Sequence, residues 1–263
     1  MLKQFKVCLV LLGLLHSISA FADISIDTQS LRLRFSDHGD LLSAEACFPA
    51  CSGKGAKTRV LSHRQGLFML SQENTGRLQV EQEHSADVTR LSFAEQSGRV
   101  LHRWEIPDKG WKISLSSSGS ASASLQSGED FRPAPSSGCG YLLEHSRYVV
   151  FVGSSVESIG FYEDEPAGFA SEAWVGFRNR FWTAMVLPAA EMSITPVTGE
   201  SIEDARIGLA TAQPGQHLTL DLYLGPIEPE ALSGAAAELE NLMYSGLWFW
   251  LGWICQALYH LLN

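Results

Sequence analysis

The chain has 263 residues, 45% hydrophobic and 18% charged, with 19 Lys and Arg against 29 Asp and Glu and a formal net charge of −10. That length and apolar content suffice for a single sizeable core. An acidic chain without a basic stripe is excluded as a nucleic-acid binder, because phosphate contacts from Lys and Arg dominate that affinity, and it gains nothing from anionic lipid headgroups.

Residues 1–22 read as a secretory signal. Lys3 and Lys6 form a positive n-region, Val7 to Leu15 a short apolar core, and Ala20-Phe21-Ala22 an A-x-A cleavage site ahead of Asp23. The apolar core is shorter than the ~20 residues needed to span a bilayer. Cleavage removes two lysines and no acid, so the mature chain is more acidic still. Export also places Cys47, Cys51 and Cys139 in an oxidising compartment, while Cys8 leaves with the signal and Cys255 lies in an apolar tail. A Cys47–Cys51 disulfide is the first expectation, since Cys47-Phe-Pro-Ala-Cys51 can close a small loop around Pro49. A bridge from either cysteine to Cys139 is the alternative. The C-x3-C spacing is not that of a C-x-x-C thiol oxidoreductase, and no second pair offers a zinc site, so neither a metal nor a cofactor is expected.

From residue 23 to 227 the pattern is that of strands. Ile24 and Ile26, then Leu31, Leu33 and Phe35, alternate with polar residues. Leu78 and Val80 do the same, followed by Val100, His102, Trp104 and Ile106, and by Ile113 and Leu115. Leu218, Leu220, Leu222 and Leu224 form the cleanest period-2 run. Tyr148 to Val152 is a continuous apolar run, which predicts a strand covered on both faces. Turn signals fall at Asp37-His-Gly-Asp40, Asn74-Thr-Gly76, Asp108-Lys-Gly110 and Gln213-Pro-Gly215. The expectation is one all-β sandwich. Ser116 to Gly140, rich in Ser, Gly, Ala and Pro, reads as a long connection between strands. Residues 228–263 are predicted to be helical. Glu228 to Met243 forms a short helix with Pro229 near its start, and it leads into a terminal segment that holds three of the seven tryptophans.

Candidate chemistry is sparse. His63, His84, His102 and His145 could converge with Glu105 in a groove, as acid–base pairs do in sugar epimerases. On the apolar phase of its strand, however, His102 reads first as a hydrogen-bonded core residue. Glu163-Asp-Glu165 lacks the spaced carboxylates and glycine of a calcium loop, and Gly138-Cys-Gly140 is too short for a dinucleotide fingerprint. Nucleophile-elbow, Walker and H-E-x-x-H motifs are absent. No catalytic residue is assigned.

The tail carries the strongest signal. Leu242 to Leu262 is long enough to span a bilayer. Yet Gly252, Gln256, His260 and Asn263, spaced 4, 4 and 3 apart, would form one polar stripe on a helix. A narrow polar stripe on an aromatic-rich helix suits the boundary between headgroups and acyl chains. A surface-lying helix is therefore favoured over a span. Its expected lipid contacts are Trp248, Phe249, Trp250, Trp253, Ile254, Leu258 and Leu261.

Several stretches resemble the periplasmic region of the YidC membrane-protein insertases. Asp23-Ile-Ser-Ile-Asp-Thr and Asp40-Leu-Leu-Ser-Ala-Glu45 are similar to its opening strands. Trp174-Val-Gly-Phe-Arg-Asn-Arg-Phe-Trp-Thr-Ala-Met-Val-Leu-Pro188 resembles a late signature of that region, and Leu220-Asp-Leu-Tyr-Leu-Gly-Pro226 its closing strand. Leu239 through Leu262, containing Tyr244-Ser-Gly-Leu-Trp-Phe-Trp, resembles the stretch that enters an amphipathic helix on the periplasmic membrane surface. The resemblance implies a β-supersandwich, as in galactose-mutarotase-like domains, plus a terminal helical part.

Departures limit what carries over. Met243 stands where the family's D-Y-G-W motif has Asp, and Ser245 is inserted before Gly246. The family's insertase activity belongs to five transmembrane helices beyond this region, so none of its residues has a counterpart here. The resulting expectation is a non-enzymatic, exported module on the periplasmic side of the bacterial inner membrane, meeting the membrane surface through its C-terminal helix. Insertase or translocon components are the expected protein partners. A carbohydrate-binding or aldose-epimerase-like sandwich is the alternative.

Overall fold

The computed structural model describes residues 23–53, 55–72, 78–118, 120–127, 148–152, 156–159, 173–179, 181–189, 192–197, 205–211 and 217–244, and positions 254, 257, 258 and 261. The signal segment, the turns at Asn74–Gly76 and Gln213–Gly215, Cys139 and His145, and the Glu163–Glu165 run lie outside the described residues.

The strands assemble into two antiparallel sheets. One contains β1 (Ile24–Asp27), β2 (Leu31–Phe35), β3 (Leu41–Phe48), β4 (Lys57–Ser62), β5 (Phe68–Gln72), β10 (Ser120–Gln126), β15 (Met192–Val197) and β16 (Arg206–Thr211). Its order is β1-β2-β3-β5-β10-β16-β15, with β4 also paired to β3. The other contains β6 (Gln79–His84), β7 (Val88–Ala94), β8 (Val100–Pro107), β9 (Lys112–Ser117), β11 (Tyr148–Val152), β12 (Val156–Ile159), β13 (Trp174–Arg178), β14 (Trp182–Pro188) and β17 (Leu218–Pro226). Its order is β12-β11-β13-β14-β17-β9-β8-β7-β6. The protein is an all-β sandwich.

Period-2 alternation places the core between the sheets. Leu31, Leu33 and Phe35 of β2 face Trp104 and Ile106 of β8 and the leucine ladder of β17, and all are fully or nearly fully buried. Trp104 is the centre of this layer. Its ring lies 5.2 Å from Phe35 and 6.0 Å, edge-on, from Phe68. Its indole N–H donates to the Gly39 carbonyl at 3.0 Å, so the buried polar atom is satisfied. Gly39 sits at φ +92°, and a Cβ there would press on His102 and Phe93 at 3.2–3.3 Å. The Asp37–Asp40 turn can therefore dock onto the core only with glycine at this position.

Three expectations are corrected. The Ser116–Gly140 stretch does not begin as a connection: Ser116 and Ser117 close β9, and Ser120–Gln126 is β10, held between β5 and β16. Ala123 and Leu125 supply its core face, and small side chains let it sit mid-sheet. Val80 is 40% exposed despite its apolar phase. Every residue of β6 is exposed, because the strand is the outer edge of its sheet. The Glu228–Met243 helix is broken. An α-helix, α1 (Pro229–Ala235), stops where Ala236 turns extended (φ −166°, ψ 139°), and a 3-10 helix covers Ala237–Tyr244. Ser233 and Gly234 in the last turn of α1 are weak helix formers, which favours the stop there.

Cys47 and Cys51 are bridged. The loop they close is pinned to the sandwich by hydrogen bonds from Cys47 N–H to Ser30 O at 3.0 Å and from Cys51 N–H to Gln29 O at 2.7 Å. The Trp111 indole N–H donates to Cys47 O at 3.0 Å, and the Phe48 ring lies 6.0 Å from the Trp111 ring. Crosslinking so short a loop removes little entropy from the unfolded chain. Replacing both cysteines (Cys47→Ala with Cys51→Ala) is therefore expected to lower unfolding stability by only about 2 kcal/mol, measured by urea denaturation. A loss several times larger would show that the bridge holds native packing rather than merely shortening the unfolded chain.

Candidate functional site

The solvent-side face of the nine-stranded sheet is divided in two. Across β11, β13, β14 and β17 it is apolar and covered. Val152, Trp174, Met185 and Tyr223 pack there against Leu232 of α1 and Leu239 and Leu242 of the 3-10 helix. Each of these three leucines is fully buried, worth roughly 1.5–3 kcal/mol apiece in apolar transfer. Tyr223 donates its hydroxyl to Pro226 O at 2.6 Å. Burial, assisted by the nearby Glu228 charge, pushes its pKa far above the ordinary phenol value. Gly176 and Gly225 make this packing possible. A Cβ on Gly176 would fall 2.0 Å from Ala184 O, and one on Gly225 2.7 Å from the Trp111 side chain.

Arg178, at the end of β13, fastens the layer. Its Nη1 donates to the Leu242 carbonyl at 2.7 Å, at the last turn of the 3-10 helix. Such a helix end leaves carbonyls without partners, and a guanidinium is well matched to them. Burial lowers the Arg178 pKa to about 10, which still leaves the group charged at neutral pH.

Across β8, β9 and β17 the same sheet face is open and polar. A shallow groove of about 460 Å³ runs there, lined by Arg103, Glu105, Ser114, Ser116, His217 and Thr219 among others. Beside it Arg90 Nε pairs with Glu105 at 3.1 Å and Lys112 with Asp221 at 3.6 Å. These exposed pairs add little stability.

His102 is not part of this groove. It is fully buried on the inner face, with Nδ1 2.8 Å from Ser117 Oγ and Nε2 without a hydrogen-bond partner. His63 lies in a turn whose backbone it caps, through Gln65 N–H to its Nδ1 at 3.1 Å. His84 bonds Thr89 Oγ1 across the edge strands at 2.8 Å. The described histidines are thus dispersed, and Glu105 has only His217 as a groove neighbour of that type. Among the described residues no three His, Cys, Asp or Glu side chains are grouped to hold a metal ion.

Of the tail, four positions are described: 254, 257, 258 and 261, all helical and all exposed. Ile254 is 40% exposed, Leu258 51% and Leu261 80%. Their spacing of four and three puts the three large side chains on one face of a helix. Trp248, Phe249, Trp250 and Trp253, and the polar positions Gly252, Gln256, His260 and Asn263, lie outside the described residues. Among the described residues no helix is long and apolar enough to cross a membrane.

The two-sheet sandwich, with a helical layer on one half of its outer face, presents no assembled catalytic centre among the described residues. Residues 52–261 match the family described as the YidC periplasmic domain, and the chain belongs to that family. It is also 30% identical over 99 residues to the membrane protein insertase YidC of Chlorobium phaeovibrioides (strain DSM 265 / 1930), covering 34% of this chain and 17% of that protein. The chain thus matches a small part of the length of this relative.

His102 makes a testable contribution to acid stability. Desolvation lowers its pKa from 6.5 to about 4 in the folded protein. Between those values the unfolded chain takes up a proton that the folded chain does not, so stability falls as pH drops from about 6.5 towards 4 and levels off below. The loss is on the order of 3 kcal/mol. Asp40 works in the opposite direction, since burial raises its pKa and the fold gains stability as that carboxyl is protonated. The difference between wild type and His102→Gln isolates the histidine. Urea midpoints measured across this pH range should fall more steeply for wild type, and parallel curves would refute the assignment.

Proposed function

We propose that this protein is a non-enzymatic, exported accessory module of membrane-protein insertion or translocation. It rests on the periplasmic side of the inner membrane, with its tail on the lipid surface and its sandwich available to protein partners. The observation that carries this reading is the exposed stripe of Ile254, Leu258 and Leu261 on a chain of the YidC periplasmic-domain family. Three large aliphatic side chains on one helical face are poorly placed in water and well placed at the headgroup boundary. Arg178 ties the helical layer, which precedes the tail in the chain, to the sheet. Insertase or translocon components are the partners that fit the family.

Among the described residues, the open groove lined by Arg103 and Glu105 favours the sugar-binding alternative. Burial of His102 takes it out of the groove where an epimerase-like acid–base pair would need it beside Glu105. The protein-contact reading is therefore the one retained.

Lipid docking is tested by co-sedimentation with phosphatidylcholine vesicles. Replacing Ile254, Leu258 and Leu261 together by serine is expected to weaken partitioning by at least about tenfold. With a net charge of −10, binding should not strengthen when phosphatidylglycerol is added or salt is lowered. Binding that rises with anionic lipid would contradict an apolar mode of attachment. The partner claim is tested by crosslinking in cells from the sandwich surface, where capture of insertase or translocon components supports it. Rescue of insertion in cells depleted of their own insertase would overturn the accessory role.

A further inference from the structure

We infer that the tip of the β13–β14 hairpin is a second lipid contact, with Phe181 entering the same surface as the tail. The inference rests on the lipid-docking reading above and adds a site to it. Phe181 is 62% exposed, more than any other described large apolar side chain outside the tail. A single exposed apolar residue is ordinary by itself, so the case depends on how this one is held and where.

The hairpin holds it firmly. Asn179 Oδ1 accepts hydrogen bonds from both Phe181 N–H at 2.9 Å and Trp182 N–H at 2.8 Å. An asparagine that bonds backbone two and three residues on fixes a turn. The Phe181 carbonyl accepts Ile227 N–H at 2.7 Å, which extends the β14–β17 ladder by one step beyond Trp182 opposite Pro226. The ring is thus presented to solvent from an ordered backbone.

Its place in the fold links it to the tail. Phe181 continues the phase of Met185 and Leu187, whose side chains lie in the helix-covered cluster. Trp182, Ala184 and Val186 belong to the opposite, inner layer. Ile227, bonded to Phe181, is two residues ahead of the start of α1. On the partner strand of the hairpin, Arg178 holds Leu242 near the end of the 3-10 helix at Tyr244. One hairpin therefore touches both the entry to and the exit from the helical layer. Ile254 follows Tyr244 by few enough residues to stay within about 35 Å of that exit even when fully extended.

Among the described residues, the other exposed large apolar side chains of the sandwich are Val60, on β4 of the other sheet, and Val80, on β6 at the far edge of this one. Attachment by a tail alone would leave the sandwich free to swivel. A second apolar point on the helix-bearing face fixes which side meets the bilayer and which side meets a protein partner. An aromatic ring suits the interfacial depth, and a chain with net charge −10 has no electrostatic attraction to supply that orientation instead.

The test compares partitioning of the full chain into phosphatidylcholine vesicles for wild type, Phe181→Ala, Phe181→Trp, Val80→Ala and the triple serine tail variant. Phe181→Ala should bind about three- to tenfold more weakly. Phe181→Trp should bind at least as well as wild type, and Val80→Ala should be unchanged. Release of the tail variant together with wild-type binding by Phe181→Ala overturns the hairpin contact and leaves tail docking intact. Loss of binding in Phe181→Ala with full binding by the tail variant keeps the hairpin contact and overturns tail docking. A wild-type chain that does not partition at all overturns both. Equal loss in Phe181→Ala and Phe181→Trp shows a structural rather than a lipid role and also overturns the inference.

Discussion

Strand β17 has to bury two faces along one half of its length and one face along the other, and the organisation of the molecule follows from that. Leu218, Leu220, Leu222 and Leu224 face the main core throughout. On the opposite face the sequence changes from Thr219 and Asp221 to Tyr223 and Gly225, from polar to apolar. Water can cover the first pair but not the second. Where Tyr223 needs cover, α1 and the 3-10 helix supply it. Where Thr219 faces solvent, the sheet is left as an open polar groove. A helical layer over one half and a free surface over the other thus follows from four alternate positions on one strand.

Trp111 couples that arrangement to the rest of the sandwich. It packs partly against both apolar clusters, and its backbone carbonyl accepts Leu224 N–H at 2.9 Å. Its indole bonds the carbonyl of Cys47 inside the disulfide loop. Gly225 is held to glycine because any Cβ would enter the Trp111 ring. The disulfide loop, the closing strand and the base of the helical layer therefore share one aromatic residue.

The sandwich was legible in the sequence where a strand has one wet and one dry face, as in β2, β8 and β17, because period-2 alternation then reports burial directly. It was not legible in β10, where Ser and Ala fill a mid-sheet strand and composition mimics a linker. In β6 the strand was legible from Leu78 and Val80, but the exposure of Val80 was not, because alternation cannot show that an edge strand lacks a second layer on that side. The break at Ala236 was hidden because apolar spacing in Ala231 to Met243 suits one continuous helix, whereas the covering layer follows the sheet surface in two pieces. The spacing of the tail pointed to a polar stripe at Gly252, Gln256, His260 and Asn263, which lies outside the described residues, while Ile254, Leu258 and Leu261 are exposed. Arg178 and Phe181 could not be read from spacing, since their roles depend on contacts with Leu242 and Ile227, 64 residues away in the first case.

Charge places a last constraint on how such a chain can work at a membrane. With acids outnumbering bases, the surface potential of an anionic leaflet repels the sandwich. On the lipid-docking reading proposed above, attachment through apolar side chains alone is short-ranged and confined to the proposed contacts, the tail stripe and the hairpin tip. The groove of Arg103 and Glu105 lies across β8 and β9, on the stretch of the sheet face that the helices leave bare. On that reading, an acidic surface that contributes nothing to lipid affinity would leave the polar half of the sheet in water, open to a protein partner.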